Sequence, residues 1–314
     1  MSHSRFALVA FAVAGAIIAA SPLVPNDYYF SAAYTVLQFV ILATAWNILG
    51  GYAGYVNFGS AAFFAVGAYS SVFLYKWAHP PLIVMIVSGT VAAGLLGLAV
   101  GYLTLRMRGV FFAIATLALA VVLYTFVVNW DYVGGARGAY ILQPRDLPFG
   151  LTRYIHVLYA AMVLMTAFAL VIARTIETSA IGRGLAAIRD DELAAECAGV
   201  PTLRLKVLAA SVSGALMGMA GTTFPYYLSY VEPSAAFNLS YAVNSIAMPL
   251  IGGMMSWIGP LLGALLLGTV QQVVQVTVSS EWNLLIVGVL LVVFVTLAPN
   301  GIMGWVDAWK RRKK

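Results

Sequence analysis

Apolar residues fill this chain in long runs, and the few charges fall between the runs. Tyr28 to Tyr75 and Pro233 to Ser280 hold no charged residue at all. Each run is long enough for two helical crossings of a bilayer at about 20 residues per span. A membrane barrel would show segments of about ten residues alternating apolar and polar, a period absent here. Read against Gly, Pro and charge punctuation, the pattern predicts ten helical spans. The first five are Phe6 to Val24, Tyr28 to Leu49, Phe58 to Tyr75, Leu82 to Leu105 and Gly109 to Val128. The second five are Tyr154 to Ile176, Val207 to Tyr230, Phe237 to Ile251, Ile258 to Val278 and Leu284 to Ala298.

Composition agrees with that reading. Hydrophobic residues make up 62% of the chain and charged ones 9%, against about 45–50% apolar in an ordinary soluble domain. The expected fold class is an all-α polytopic membrane protein of about ten transmembrane helices, forming a single transmembrane domain over 1–314. The first six spans fall in 6–176, a polar loop occupies 177–206, the last four spans fall in 207–298, and a basic tail follows at 305–314.

Basic residues are retained on the cytoplasmic side of membrane proteins. With ten spans and the N-terminus inside, Arg5, Arg106, Arg108, Arg174, Arg183, Arg189, Arg204, Lys206, Lys310, Arg311, Arg312, Lys313 and Lys314 are cytoplasmic. That places 13 of the 17 Lys and Arg inside and leaves Lys76, Arg137, Arg145 and Arg153 outside. The net charge of +6 therefore reads as topology and attraction to the inner leaflet, with no support for a nucleic-acid partner. Both termini are expected on the cytoplasmic side. Arg5, the apolar run after it and "AAS" at Ala19 to Ser21 also suit a cleaved signal peptide; retention as the first span keeps the charge balance and is the expectation. Cys197 is the single cysteine, so no disulfide forms within the chain.

Several chemistries lack their residues. His3, His79 and His156 are scattered, no HExxH occurs, and no cysteine pair could help hold a metal. No GxxxxGK[ST] is present, so the chain does not bind ATP through a P-loop. No catalytic or metal-ligating residues are assigned. The predicted spans also lack ionisable residues at their centres, where an ion-coupled carrier usually keeps one. Sodium sites built from neutral oxygens keep a stand-alone secondary transporter open as the alternative.

Glycine and neutral polar residues take the remaining special positions. Gly97 with Gly101, Gly214 with Gly218 and Gly259 with Gly263 form GxxxG pairs suited to close helix packing. "GGYAGYVNFGSAAFFAVGAY", Gly50 to Tyr69, carries five glycines with Asn57 and Ser60. Each glycine inside a helix costs about 1 kcal/mol relative to Ala, so a broken helix or re-entrant turn is expected there. "IGGMMSWIGP", Ile251 to Pro260, is a second interrupted region. Gln38, Asn47, Asn57, Ser60, Thr116, Asn244, Gln271 and Gln272 are candidates for a translocation pathway, or for hydrogen bonds between helices.

"IRDDELAAECAG", Ile188 to Gly199, packs five charged residues into twelve positions. Upstream, Ile181, Leu185 and Ile188 follow the i, i+4, i+7 spacing of one helical face, and Gly199 with Pro201 supplies a stop. A short amphipathic helix ending near Ala198 is predicted, with a face suited to docking on a partner; a merely solvated loop is the other reading.

"SAIGRGLAAIRDDELAAECAGVPTLRLKVLAASVSGALMGMAG", Ser179 to Gly221, resembles the cytoplasmic loop and following helix of bacterial ABC-importer permeases of the branched-chain amino acid family. "RGVFFAIATLALA", Arg108 to Ala120, is similar to the M-type (LivM-like) subunit more than to its H-type counterpart. The Gly50 to Tyr69 segment, "VGGARG" at Val133 to Gly138, "GPLLGALLLG" at Gly259 to Gly268 and "LAPNGIMG" at Leu297 to Gly304 extend the resemblance. It implies an ATPase-coupling helix over Ile188, Arg189, Asp190, Asp191, Glu192, Leu193, Ala194, Ala195, Glu196 and Gly199. Leu193 stands where that family's EAAxxxG-like element has Glu, with Glu192 just before it. The implied partners are a homologous H-type permease, two cytoplasmic P-loop ATPase subunits that use the ATP, and an extracytoplasmic solute-binding protein. The implied cargo is a branched-chain amino acid, with urea, amides and aromatic or other carboxylates also carried by similar permeases. Arg137 in the outer loop is placed to attract an anionic solute, to meet the binding protein, or to sit in solvent.

Overall fold

In the computed structural model, residues 3–24, 26–107, 109–144, 153–277, 285, 288–289, 292, 296 and 301–304 are described. The chain runs through α1 (His3–Ala19), α2 (Asp27–Ala53), α3 (Ser60–Ala78), α4 (Leu82–Thr104), α5 (Val110–Val128) and α6 (Tyr154–Thr178). Two short helices follow, α7 (Ala180–Asp190) and α8 (Glu192–Cys197). Then come α9 (Thr202–Thr222), α10 (Phe224–Leu228), α11 (Pro233–Ala236), α12 (Leu239–Gly252) and α13 (Ile258–Thr277). Two two-residue strands, β1 (Ala139–Tyr140) and β2 (Tyr230–Val231), pair antiparallel with Ala139 opposite Val231.

Six helical segments are long and apolar enough to cross a membrane: α2, α4, α5, α6, α9 continued through α10, and α13. The chain is thus an all-α polytopic membrane protein, but length and hydropathy do not by themselves reach ten spans. Helix α1 has 17 residues and α12 has 14. Helix α3 is long enough, but Gly67, Tyr69, Ser70, Ser71 and Lys76 lower its hydropathy. Its apolar face is covered by protein, so it does not need the hydropathy of a lipid-facing helix. The tenth predicted span and the basic tail fall largely outside the described residues, as do Arg108 and Arg145.

The core lies along α2 and α9. In α2, Val40, Ile41, Leu42, Trp46, Ile48 and Leu49 are almost fully enclosed. Helix α9 packs along α4, α3 and α2, while α6, α12 and α13 close the other sides of α2. Helix α1 rests on α6 at the periphery, and α5 touches the bundle sparsely.

Close approach at the crossings depends on small residues. A Cβ on Gly67 of α3 would overlap the carbonyl of Gly218 in α9, and one on Gly218 would overlap Ala93 of α4. All three GxxxG pairs sit at such crossings, those of α4 and α9 against each other and Gly259 with Gly263 against α12.

Local chemistry sets the helix ends. Asn26 caps α2, its side chain accepting from the Tyr28 N–H, and Asn238 caps α12 through Ser240. Gly54 ends α2 in the left-handed conformation at φ 77°, and the Tyr55 N–H returns to the Leu49 carbonyl.

Three expectations need correction. The break in Gly50 to Tyr69 is confined to residues 54–59, a short link between full helices, because Gly50 and Gly51 remain helical. The helix continues where Gly51 passes close to the Met254 carbonyl, an approach that tertiary packing rewards over intrinsic propensity. The single helix predicted to end near Ala198 is two helices, because Asp191 turns extended (φ −158°, ψ 110°) and restarts the chain as the cap of α8. The seventh span begins at Thr202, five residues earlier than predicted, and its far end is divided at Thr223.

Candidate functional site

The α7–α8 segment crosses one end of the bundle, and its seat is built from helix ends. Ser179 caps α7, accepting from the Ile181 and Gly182 N–H groups, and Asp191 caps α8, accepting from those of Leu193 and Ala194. The predicted apolar face points inward: Leu185 and Ile188 are buried and Ile181 partly so. On α8 only Ala195 is buried, whereas Leu193, Ala194, Glu196 and Cys197 are exposed, Leu193 at 60%. Asp190, Asp191 and Gly199 are also exposed.

Arg189 is held over the end of α2. Its Nη1 donates to the Gly51 carbonyl at 3.3 Å and contacts Met255 Sδ, while its guanidinium pairs with Asp190 at 3.2 Å. A cation at a helix C-terminus faces the unpaired carbonyls and the negative end of the dipole. The adjacent turn between α12 and α13 is tied in as well. Glu177 Oε2 accepts from the Tyr52 hydroxyl at 3.2 Å and from the Trp257 N–H at 2.6 Å, and Asn47 Nδ2 donates to the Met254 carbonyl at 3.1 Å.

Glu192 turns inward. Lys206 Nζ lies 2.6 Å from its Oε1, and the Tyr55 hydroxyl donates to its Oε2 at 2.7 Å. Lys206 also donates to the Leu105 carbonyl at 2.8 Å. A cavity of about 560 Å³ opens beside this junction, lined by Gly54, Tyr55, Phe58, Val110, Arg189 and Glu192 among others.

Lys206, at the end of the predicted loop, and Tyr55 and Glu177, for which the sequence predicts no role, all take part in this junction. The available signal is a lone Lys just ahead of the apolar run from Val207, with a carboxylate fourteen residues upstream. No single-helix periodicity joins the two.

Of the pathway candidates, Gln38, Asn47, Asn57, Ser60, Thr116, Asn244 and Gln271 are buried within this chain. Asn57, Ser60 and Thr116 gather at the link between α2 and α3. Asn57 Oδ1 accepts from the Gly59 N–H at 2.7 Å, its carbonyl accepts from Trp46 Nε1 at 2.8 Å, and Thr116 Oγ1 accepts from the Phe58 N–H at 3.1 Å. Elsewhere Gln271 Nε2 donates to Asn244 Oδ1 at 2.9 Å, joining α12 to α13. Gln38 reaches the Ala220 carbonyl of α9 at 3.3 Å. Gln272 is partly exposed.

At the opposite end, the Arg137 side chain is exposed and its carbonyl accepts from the Tyr230 hydroxyl at 2.7 Å. A cavity of about 760 Å³ there is lined by Asp27, Ser31, Gln143, Arg153, Tyr154 and Tyr227 among others. Arg153 pairs with Asp27. Among the described residues, no three His, Cys, Asp or Glu side chains converge to hold a metal ion.

Comparison with known proteins bears on this geometry. The profile of a family described as "Branched-chain amino acid transport system / permease component" matches residues 28–295. The high-affinity branched-chain amino acid transport system permease protein LivM of Salmonella typhimurium is 26% identical over 84% of this chain and 67% of its own length. The probable branched-chain amino acid transport permease protein LivH of Methanocaldococcus jannaschii is 23% identical over 82% of this chain and 85% of its own. The ribose import permease protein RbsC of Haemophilus influenzae is 29% identical over 38% of each chain. No solved structure matches. The profile covers both the membrane bundle and the α7–α8 segment seated on its end, so the chain belongs to the branched-chain amino acid transport permease family and is LivM-like.

Proposed function

We propose that this chain is a membrane-spanning permease subunit of a bacterial ABC importer. It passes branched-chain amino acids, or a related small polar or carboxylate solute, by alternating access driven by separate ATPases. One observation carries the reading. The α7–α8 segment is fastened to the bundle by its inner face, while Leu193, Ala194 and Cys197 form an outward surface that no part of this chain covers among the described residues. The ATPase subunits dock there. The chain itself has no P-loop, and ATP is bound and hydrolysed by those partners.

Charge placement supports the orientation. Among the described residues, Arg106, Arg174, Arg183, Arg189, Arg204 and Lys206 belong to the α7–α8 end, with Arg5 near Arg174, whereas Lys76, Arg137 and Arg153 belong to the other. That bias supports a cytoplasmic α7–α8 end, the orientation in which the proposed importer has both termini on the cytoplasmic side of the inner membrane. The relatedness to LivH as well as LivM supports pairing with a homologous H-type permease. Solute then arrives at the opposite end from an extracytoplasmic binding protein.

Mass spectrometry of the tagged chain, purified from its native membrane in mild detergent, tests this. A second permease and two P-loop ATPases are expected. Recovery of this chain alone, under conditions that keep a known ABC complex intact, together with ion-driven uptake by it in liposomes, would replace the importer with a secondary carrier.

A further inference from the structure

We propose that Glu192, Lys206 and Tyr55 form a buried strut that carries displacement of α8 into α2, α4 and α9. The inference rests on the importer reading above. The three are positioning residues and touch no solute in this role.

Geometry points to a mechanical part. Lys206, in the first turns of α9, donates to Glu192 Oε1 at 2.6 Å, to the Tyr55 hydroxyl at 3.1 Å and to the Leu105 carbonyl at 2.8 Å. Tyr55 donates to Glu192 Oε2 at 2.7 Å, so both carboxylate oxygens are engaged. One ammonium thereby joins the link after α2, the end of α4, the start of α9 and the start of α8. The ammonium also lies 4.9 Å from the centre of the Tyr55 ring, a cation–π arrangement.

Burial distinguishes this pair from an ordinary surface contact. The Lys206 and Glu192 side chains are 4% and 11% exposed, whereas Asp190, in the neighbouring pair with Arg189, is 72% exposed. A lysine near the end of a membrane helix ordinarily extends toward the aqueous interface. Lys206 instead turns into the junction. An exposed pair exchanges its partners for water at little penalty. Separating a buried pair leaves uncompensated charge in a poorly polarisable surrounding, so α8 and the head of α9 move together. Helix α9 then crosses α3 and α4 where Gly67, Gly218 and Ala93 leave no slack, which passes the movement along the bundle.

Two measurements test the strut. A spin label on Cys197, the single cysteine of the chain, reports the hold on α8 in the purified permease. Glu192→Gln and Lys206→Met should each increase label mobility; mobility unchanged in both would overturn the proposal. In proteoliposomes holding the assembled complex, both substitutions should lower the solute moved per ATP hydrolysed by about tenfold, within the range by which mutations between two coupled sites change their coupling. Lys206→Arg, which keeps the charge, should recover most of that ratio. Should the charge variants fail to accumulate, Tyr55→Phe removes one donor and keeps the ring, and should lower the same ratio more mildly. A ratio that stays at the wild-type value while thermal stability falls would overturn the strut and leave the importer reading standing. Wild-type protein without ATPases would instead overturn the importer reading.

Discussion

Gly67 and Gly218 cross back to back, so that a methyl group on the first would strike the carbonyl oxygen of the second. The contact fixes the distance between α3 and α9, and it forms where no hydrophobic driving force separates helix from lipid. Helix association in a bilayer relies on such close packing.

Enlarging that crossing should loosen the bundle. Gly218→Val places its side chain against Ala93 and the Gly89 carbonyl of α4, an overpacking worth about 1–3 kcal/mol. A lower unfolding midpoint in detergent, followed by tryptophan fluorescence, is the expected outcome; an unchanged midpoint would mean that the helices part without loss.

Gly54 makes a different demand. Its φ of 77° strains any residue with a Cβ, and that Cβ would lie 2.9 Å from Arg189 Cγ. Gly54→Ala should destabilise the chain by about 1–2 kcal/mol for the left-handed conformation alone. Arg189 would also be displaced from the Gly51 carbonyl. Replacing Arg189 by Ala in the same background should make the Gly54→Ala change milder, a coupling that a double-mutant cycle of melting midpoints reads directly.

Asp191 divides α7 from α8. Asp191→Ala removes the acceptor for the Leu193 and Ala194 N–H groups, a capping loss of about 1 kcal/mol. Hydrogen exchange should quicken at those two amides and at α8 generally, while α7, capped by Ser179, keeps its protection. Equal loss over both helices would show that they unfold as one unit.

Much of the fold is legible in the sequence because charge and Gly/Pro punctuation mark where helices stop. Starts at Leu82, Tyr154 and Ile258 coincide with the predicted ones. The misjudged places are those where distant residues decide. Asp191 is a poor helix interior but a good cap, which single-face periodicity does not register. Lys206 joins a helix rather than a loop because a carboxylate from α8 and a carbonyl from α4 meet it. The inward face of α7 was readable from Ile181, Leu185 and Ile188. The partner of Thr116 was not, since it depends on how α5 sits against the link after α2.

Cys197 offers a reading of partner contact. Its thiol is exposed on α8, so a maleimide should react readily in the isolated permease. In the assembled complex the ATPase surface should cover it and slow the reaction several-fold. Equal rates in both states would place the docking surface elsewhere.

Helix α5 is the most apolar of the candidate spans and the least enclosed, with 17% of its most apolar window buried against 67% for α2. Its attachments concentrate near its ends, at Phe112 and Thr116 beside the link after α2 and at Tyr124 and Val127 toward the far side. Residence in the bilayer is secured by its own hydropathy, independently of the folded bundle. Insertion and docking of this helix are therefore separable steps.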